Sequence, residues 1–188
     1  MDARFRRGIV DVRHAKRLWP TTRLWERWYL LPADTGRVAL DEVVAAARQD
    51  THLFIDLKGL SQRVSHAVLH VVGDRPRFTV ASKRPRLLAP FAGRPSVNRI
   101  RSAGNRLELL ALLRLPSRAP VDGHAVRSDL VDTGVARRLR RRADRLLVWR
   151  VDSLDDIARL ERLGVTGVIV DDLGLIERWR DAATSRHP

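Results

Sequence analysis

Apolar residues along this chain alternate between two rhythms. Short continuous runs rich in β-formers are followed by stretches in which apolar residues recur at three- and four-residue spacing, the periods of strand and helix. LFIDLK (53–58) reads as a strand and SQRVSHAVLHVV (61–72) as an amphipathic helix. RFTVAS (77–82) predicts a strand, and PRLLAPFAG (85–93) a short helix interrupted by Pro90. VNRIRS (97–102) and RLELLALL (106–113) repeat the pair, as do HAVRSDL (124–130) and TGVARRLRRR (133–142). The pattern is clearest near the end. LLVWRV (146–151) is a strand, and SLDDIARLERLG (153–164) is a helix with Ser153 as its N-terminal cap, acids in its first turn and Gly164 as its stop. VTGVIVDD (165–172) is a further strand, its two acids placed to cap a last helix, LIERWRDAA (175–183).

Strands joined through helices run parallel and are covered on both faces, which suits their unbroken apolar runs. Two architectures fit: an open doubly wound sheet and a (β/α)₈ barrel, usually about 250 residues long. The 188 residues suffice for a single domain over 1–188. Before Asp50 the alternation breaks. GIVDVRH (8–14) reads as a strand and VALDEVVAAAR (38–48) as a helix, but residues 16–36 between them form a long connection holding three of the five tryptophans. Long connections in compact domains are often functional.

Composition narrows the chemistry. There is no cysteine, which excludes disulfides, thiolate metal sites and a cysteine nucleophile. No apolar run reaches the length of a membrane span, and no signal-peptide segment follows the basic Met1–Arg7, so the expected setting is cytoplasmic. The net charge is +14, and of 36 basic residues only Lys16, Lys58 and Lys83 are lysines. Such a charge attracts anions, although a composition rich in Arg, Ala and Val also follows from a GC-rich coding sequence. The densest run, Arg137 to Arg142, has no interleaved aromatics for base stacking and reads as a solvated helix face rather than a nucleic-acid groove. Glycine-rich dinucleotide and P-loop motifs are absent.

In parallel α/β folds, side chains at the carboxyl ends of strands converge on the ligand. That rule selects Arg13 and His14, Asp56 and Lys58, Ser82 and Lys83, Trp149 and Asp171. A carboxylate can hold Mg²⁺ or Ca²⁺, a lysine can neutralise a phosphoryl oxygen, and a histidine can move a proton. The set points to phosphate-ester chemistry rather than acyl transfer. Asp56 and Lys58, two residues apart, share one face of their strand; a structural ion pair closing the strand is the competing reading. Ser82 competes as a helix cap and Trp149 as core. His66 and His70 have the i, i+4 spacing of a metal pair but no acidic third ligand in sequence.

These segments resemble the glycerophosphodiester phosphodiesterase family. LLVWRVDSLDDIARLERLGVTGVIVDDLGLI is similar to the family's closing strand, helix and strand. LFIDLKG resembles its Ile-Glu-Ile-Lys strand, FTVASKRPRLL its Val-x-Ser-Phe strand, and GIVDVRHAKRLWPTT its segment containing His-Asp and Thr-Thr. The resemblance implies a (β/α)₈-type barrel lacking its first βα unit. It implies metal-dependent hydrolysis of glycerophosphodiesters to an alcohol and glycerol 3-phosphate. It further implies His14 as a proton-transfer residue, Lys58 as catalytic and phosphate-binding, and Trp149 and Arg13 as substrate-binding. Asp56 and Asp2 become ligands of a divalent ion, Mg²⁺ or Ca²⁺. Ala15 stands where the family carries the Asp of His-Asp, and no His-Arg precedes the match. A retired relative that binds phosphate ligands or a protein is the second reading, and a basic nucleic-acid-binding domain the third. The implied partner is a small phosphodiester, with a homo-oligomer across the open barrel seam also conceivable.

Overall fold

The computed structural model describes residues 1–6, 8–12, 16–17, 23–26, 29–32, 38–73, 75–114 and 121–184. They form two compact units, Met1–Asn98 and Arg99–Pro188.

The first unit opens with β1 (Asp2–Arg6) and β2 (Ile9–Val12), followed by β3 (Lys16–Arg17), β4 (Arg23–Glu26), β5 (Tyr29–Pro32) and β6 (Val38–Ala39). Helix α1 (Leu40–Ala46), β7 (Leu53–Leu57), α2 (Arg63–Val72), β8 (Phe78–Ser82) and α3 (Pro85–Leu88) complete its regular elements, the last running into a 3₁₀ turn at Ala89–Phe91. The β1 strand pairs in parallel with β7, and β7 in parallel with β8. Its other edge pairs antiparallel with β2, which pairs antiparallel with β6. The start therefore departs from the expected parallel order. A strand at Asp2–Arg6 precedes the one anticipated at 8–14, because Gly8, at φ +87°, lets the chain double back as a hairpin. The segment expected as a long connection contains a separate antiparallel sheet, β3-β4-β5. A short strand period inside a tryptophan- and arginine-rich stretch gave no clean alternation to read.

In β7 the apolar rhythm is strict. Leu53, Ile55 and Leu57 are buried, while Phe54 and Asp56 on the other face are half-buried. Helix α2 presents Val64, Val68 and Val72 to the core and leaves His66 and His70 exposed, so that histidine pair lies on the outer face. Phe78 and Phe91 meet edge to face, with ring centres 6.3 Å apart.

Arg75 ties this unit together. It is only 6% exposed. Its guanidinium donates to the carbonyls of Ala47 (2.8 Å), Arg48 (2.9 Å) and Thr51 (3.3 Å), and at 3.5 Å to Val44. The Val44 and Ala47 carbonyls lie at the end of α1, where a helix leaves carbonyls unpaired and a cation complements the helix dipole, and those of Arg48 and Thr51 belong to the turn that follows.

The second unit contains β9 (Val97–Ala103), α4 (Arg106–Arg114), β10 (Gly123–Arg127), a 3₁₀ turn at Ser128–Leu130, α5 (Thr133–Arg140), β11 (Arg145–Trp149), α6 (Leu154–Arg162), β12 (Gly167–Ile169) and α7 (Leu173–Thr184). Strands β9, β10, β11 and β12 pair in parallel in that order, as the alternating pattern predicts. Val126, Leu146 and Val148 pack under Leu112, Leu139 and Leu160 of the covering helices. Helix caps follow the sequence signals. Ser153 Oγ accepts from Asp156 N–H (3.1 Å), Asp132 from Val135 N–H (2.8 Å) and Asp172 from Gly174 N–H (2.9 Å). Gly164, at φ +77°, closes α6. Arg142 repeats the device of Arg75, donating to the last-turn carbonyls of α4 at Leu112 (2.7 Å) and Leu113 (2.5 Å).

Two outcomes follow. Replacing Arg75 by Met strands the carbonyls at the end of α1. Unfolding in urea should then show a loss of about 2–4 kcal/mol. His124 on β10 is 4% exposed. Burial, then the charges of Arg101 and Arg142, lower its pKa from 6.5 to about 4. A base whose folded pKa is depressed contributes full stability above its unfolded value and loses it as pH falls through the folded one. Stability measured in chloride buffer should therefore drop between pH 6.5 and 4, with a contribution of about 3 kcal/mol from this group. His124→Leu should remove that part of the acid limb; an unchanged limb would refute the assignment.

Candidate active site

The parallel register of β1 and β7 sets Asp2 directly beside Asp56 and Ala3 beside Leu57. Backbone bonds fix it. Asp56 N–H donates to the Met1 carbonyl (2.8 Å), Lys58 N–H to the Ala3 carbonyl (3.0 Å), and the Met1 amine to the Phe54 carbonyl (2.9 Å). Two carboxylates thus project from one face of adjacent strands. Lys58, on the same face of its strand as Asp56, reaches both. Its Nζ lies 2.5 Å from Asp56 Oδ2 and 3.5 Å from Asp2 Oδ1. Gly59, at φ +108°, turns the chain away immediately after Lys58.

The electrostatics are poised. Burial pushes the Asp56 carboxyl above its ordinary value. The Lys58 ammonium opposes that without cancelling it, and the Asp2 charge adds to the rise. Asp56 Oδ1 is buried with no hydrogen-bond partner. Such an atom invites a ligand, because an unpaired buried carboxylate oxygen is costly.

The carboxyl end of β7 is braced by its neighbour. Ser82, fully buried at the end of β8, donates to the Leu57 carbonyl (3.0 Å) and accepts from Arg84 N–H (3.2 Å). Ser82 is therefore a strand-end tie, positioned next to the site residues rather than among them.

In the second unit, Trp149 ends β11 half-buried, and the register places Arg127 at the end of β10 beside it. Arg127 is held by a bidentate pair to Asp129 (2.5 and 2.6 Å). The residue after Trp149, Arg150, adopts φ +62°, a conformation strained for a side chain of this size. Ser128 Oγ donates to the Arg150 carbonyl at 2.7 Å. Neither Arg127 nor Arg150 was singled out from sequence. The only signal was an arginine at each strand end, lost among so many others. Asp172 acts as the cap of α7, as its position before the helix suggested. Arg13, His14 and Ala15 lie outside the described residues.

The structure thus brings together Asp2, Asp56 and Lys58. Among the described residues no group of three or more His, Cys, Asp or Glu side chains is arranged around a metal position. The two carboxylates, one with an unpartnered oxygen, fit a hard divalent cation that completes its shell with water and substrate oxygens, as Mg²⁺ commonly does.

The chain matches the glycerophosphoryl diester phosphodiesterase family over residues 42–175. Its fold is also found in solved structures. A glycerophosphodiester phosphodiesterase from Thermotoga maritima is 18% identical, with 94% of this chain and 82% of that one covered at a TM-score of 0.72. An Oleispira antarctica phosphodiesterase, solved in complex with the product sn-glycerol-3-phosphate, is 16% identical over 97% of this chain and 83% of its own, also at 0.72. A glycerophosphodiester phosphodiesterase from Parabacteroides distasonis is 15% identical, with 100% and 83% covered and a TM-score of 0.68. A search of curated proteins returns no match. These neighbours are TIM barrels, and the βα succession described above is the corresponding α/β fold. The match extends over more than half of the sequence, and the chain belongs to the glycerophosphoryl diester phosphodiesterase family.

Proposed function

We propose that this chain hydrolyses glycerophosphodiesters to an alcohol and glycerol 3-phosphate, in lipid metabolism, and that Asp2, Asp56 and Lys58 form its catalytic centre. The observation carrying this reading is the convergence of two carboxylates and one ammonium on a single face at the β1–β7 pair. Family membership supports the reaction class. The glycerol 3-phosphate in the Oleispira antarctica structure supports the product.

Each residue then has a task. Lys58 lies within ion-pair distance of two acids. Its ammonium is the group that binds a phosphoryl oxygen and offsets charge developing there. Asp2 and Asp56 would hold a divalent cation, Mg²⁺ or Ca²⁺. When bound, that ion supplies charge stabilisation to the phosphoryl oxygens. Burial opposes the ionisation of Asp56, and a cation bound there would favour the carboxylate. His14 would move the proton to or from the ester oxygen, with Arg13 contacting substrate. Among the described residues no helix is long and apolar enough to cross a membrane.

The test is hydrolysis of glycerophosphodiesters by the purified chain with Mg²⁺, Ca²⁺ or chelator. Turnover should require the cation. Asp56→Ala should lower kcat/KM by about 10²–10⁴-fold, and Lys58→Ala by a comparable factor. Activity indifferent to chelator or to Asp56→Ala would refute the assignment. Cation binding without turnover would make the chain a binding relative.

A further inference from the structure

Arg4 stands on the face of the proposed centre and has no task in the reaction described above. Alternation along β1 puts it on the same face as Asp2, two residues earlier. The ladder between β1 and β7 places it beside Lys58. Asp2 stands beside Asp56, and the Asp56 N–H donates to the Met1 carbonyl. Two residues on, the Lys58 N–H donates to the Ala3 carbonyl in the same way, which sets Lys58 beside Arg4. Neighbouring strands lie about 4.8 Å apart, so the guanidinium and the ammonium extend from adjacent points of one surface.

Arg4 is not committed to the fold as Arg75 and Arg142 are. Among the described residues it enters no ion pair and no side-chain hydrogen bond. The residue opposite it on β2 is the buried Asp11, but no ion pair joins the two. Arg4 is half-buried, and of its three guanidinium nitrogens only Nε is sealed from solvent without a partner. The two terminal nitrogens are the donors that remain for a ligand.

The charges on this face decide which ligand it favours. A divalent cation held by Asp2 and Asp56 would balance those two carboxylates. Lys58 and Arg4 then flank it as two further positive charges. A phosphodiester carries a single negative charge, whereas a phosphate monoester carries about −1.5 to −2 at pH 7. Negative charge is also what a preorganised cation meets as the phosphoryl group reacts. An ammonium acts as a point charge, while the guanidinium fork takes two oxygens at once. We infer that Arg4 is a second phosphoryl-binding residue, paired with Lys58 across β1 and β7, and that the pair favours a doubly charged phosphoryl group over the singly charged diester. This inference rests on the reading of Asp2, Asp56 and Lys58 as the centre.

The experiment is a phosphorus NMR titration of the full chain at pH 7 in saturating Mg²⁺. The ligands are glycerol 3-phosphate, a monoester, and dimethyl phosphate, a singly charged diester. Glycerol 3-phosphate should bind the more tightly. Arg4→Gln should weaken it about tenfold and dimethyl phosphate by clearly less, so that the gap narrows. Arg4→Lys keeps the charge and loses the fork; it should retain part of the preference, and it serves should Gln prevent folding. Mg²⁺ affinity should be undiminished in both variants, and a fall would mark Arg4 as a structural support and overturn the assignment. If Arg4 served only Asp11, Arg4→Gln would lose stability yet bind both ligands as wild type does. That result, with binding lost in Lys58→Ala, overturns the role of Arg4 and leaves the centre standing. Equal weakening of both ligands overturns the charge preference. Unchanged binding in both Arg4→Gln and Lys58→Ala removes the centre itself, and the role of Arg4 with it.

Discussion

The pairing of β1 with β7 is the constraint on which the candidate centre depends. Because side chains alternate along a strand, a slip of one residue would turn Asp2 to the opposite face and leave Lys58 with a single acid. The register is held by the Asp56 and Lys58 amides on the Met1 and Ala3 carbonyls. It forces two carboxylates together, and burial makes that juxtaposition unfavourable for Asp56 in particular. Lys58 offsets the cost from one side, and the bare Oδ1 of Asp56 leaves the other side to a cation. Carboxylates brought together against the cost of burial are the arrangement expected where function, not stability, selects the residues.

The surrounding fold uses its arginines structurally. Arg75 and Arg142 each gather carbonyls at a helix end, a task that the planar fork of guanidinium performs better than an ammonium. Part of the +14 charge is therefore invested in holding α1 and α4 in place.

From β7 onward the elements were legible because each obeys a single period: buried runs for strands, three-and-four spacing for helices, with Ser153 and Gly164 marking one helix on both sides. Before β7 the strand read at 8–14 and the helix read at 38–48 are present as β2 and α1, but the other strands went unread for physical reasons. The β1–β2 hairpin turns at Gly8, inside a stretch whose charges mask alternation, and β3-β4-β5 are short strands without a shared apolar face in sequence. At the centre, Asp56 and Lys58 could be paired from their spacing alone. Asp2 came from the resemblance, and its position beside Asp56 depends on a register between residues 54 apart in sequence. Arg127 beside Trp149 and Arg101 beside His124 depend likewise on neighbouring-strand register, which no local pattern encodes.

The most direct test of the central claim is calorimetric titration of the chain with glycerol 3-phosphate, with and without Mg²⁺ or Ca²⁺. If Asp2 and Asp56 hold the cation and Lys58 the phosphate, binding at this centre should strengthen when the cation is present, and that gain should vanish in Asp56→Asn. Binding equally tight without the cation, or an undiminished gain in Asp56→Asn, would show that the paired carboxylates and their lysine are a structural clasp and not the catalytic centre.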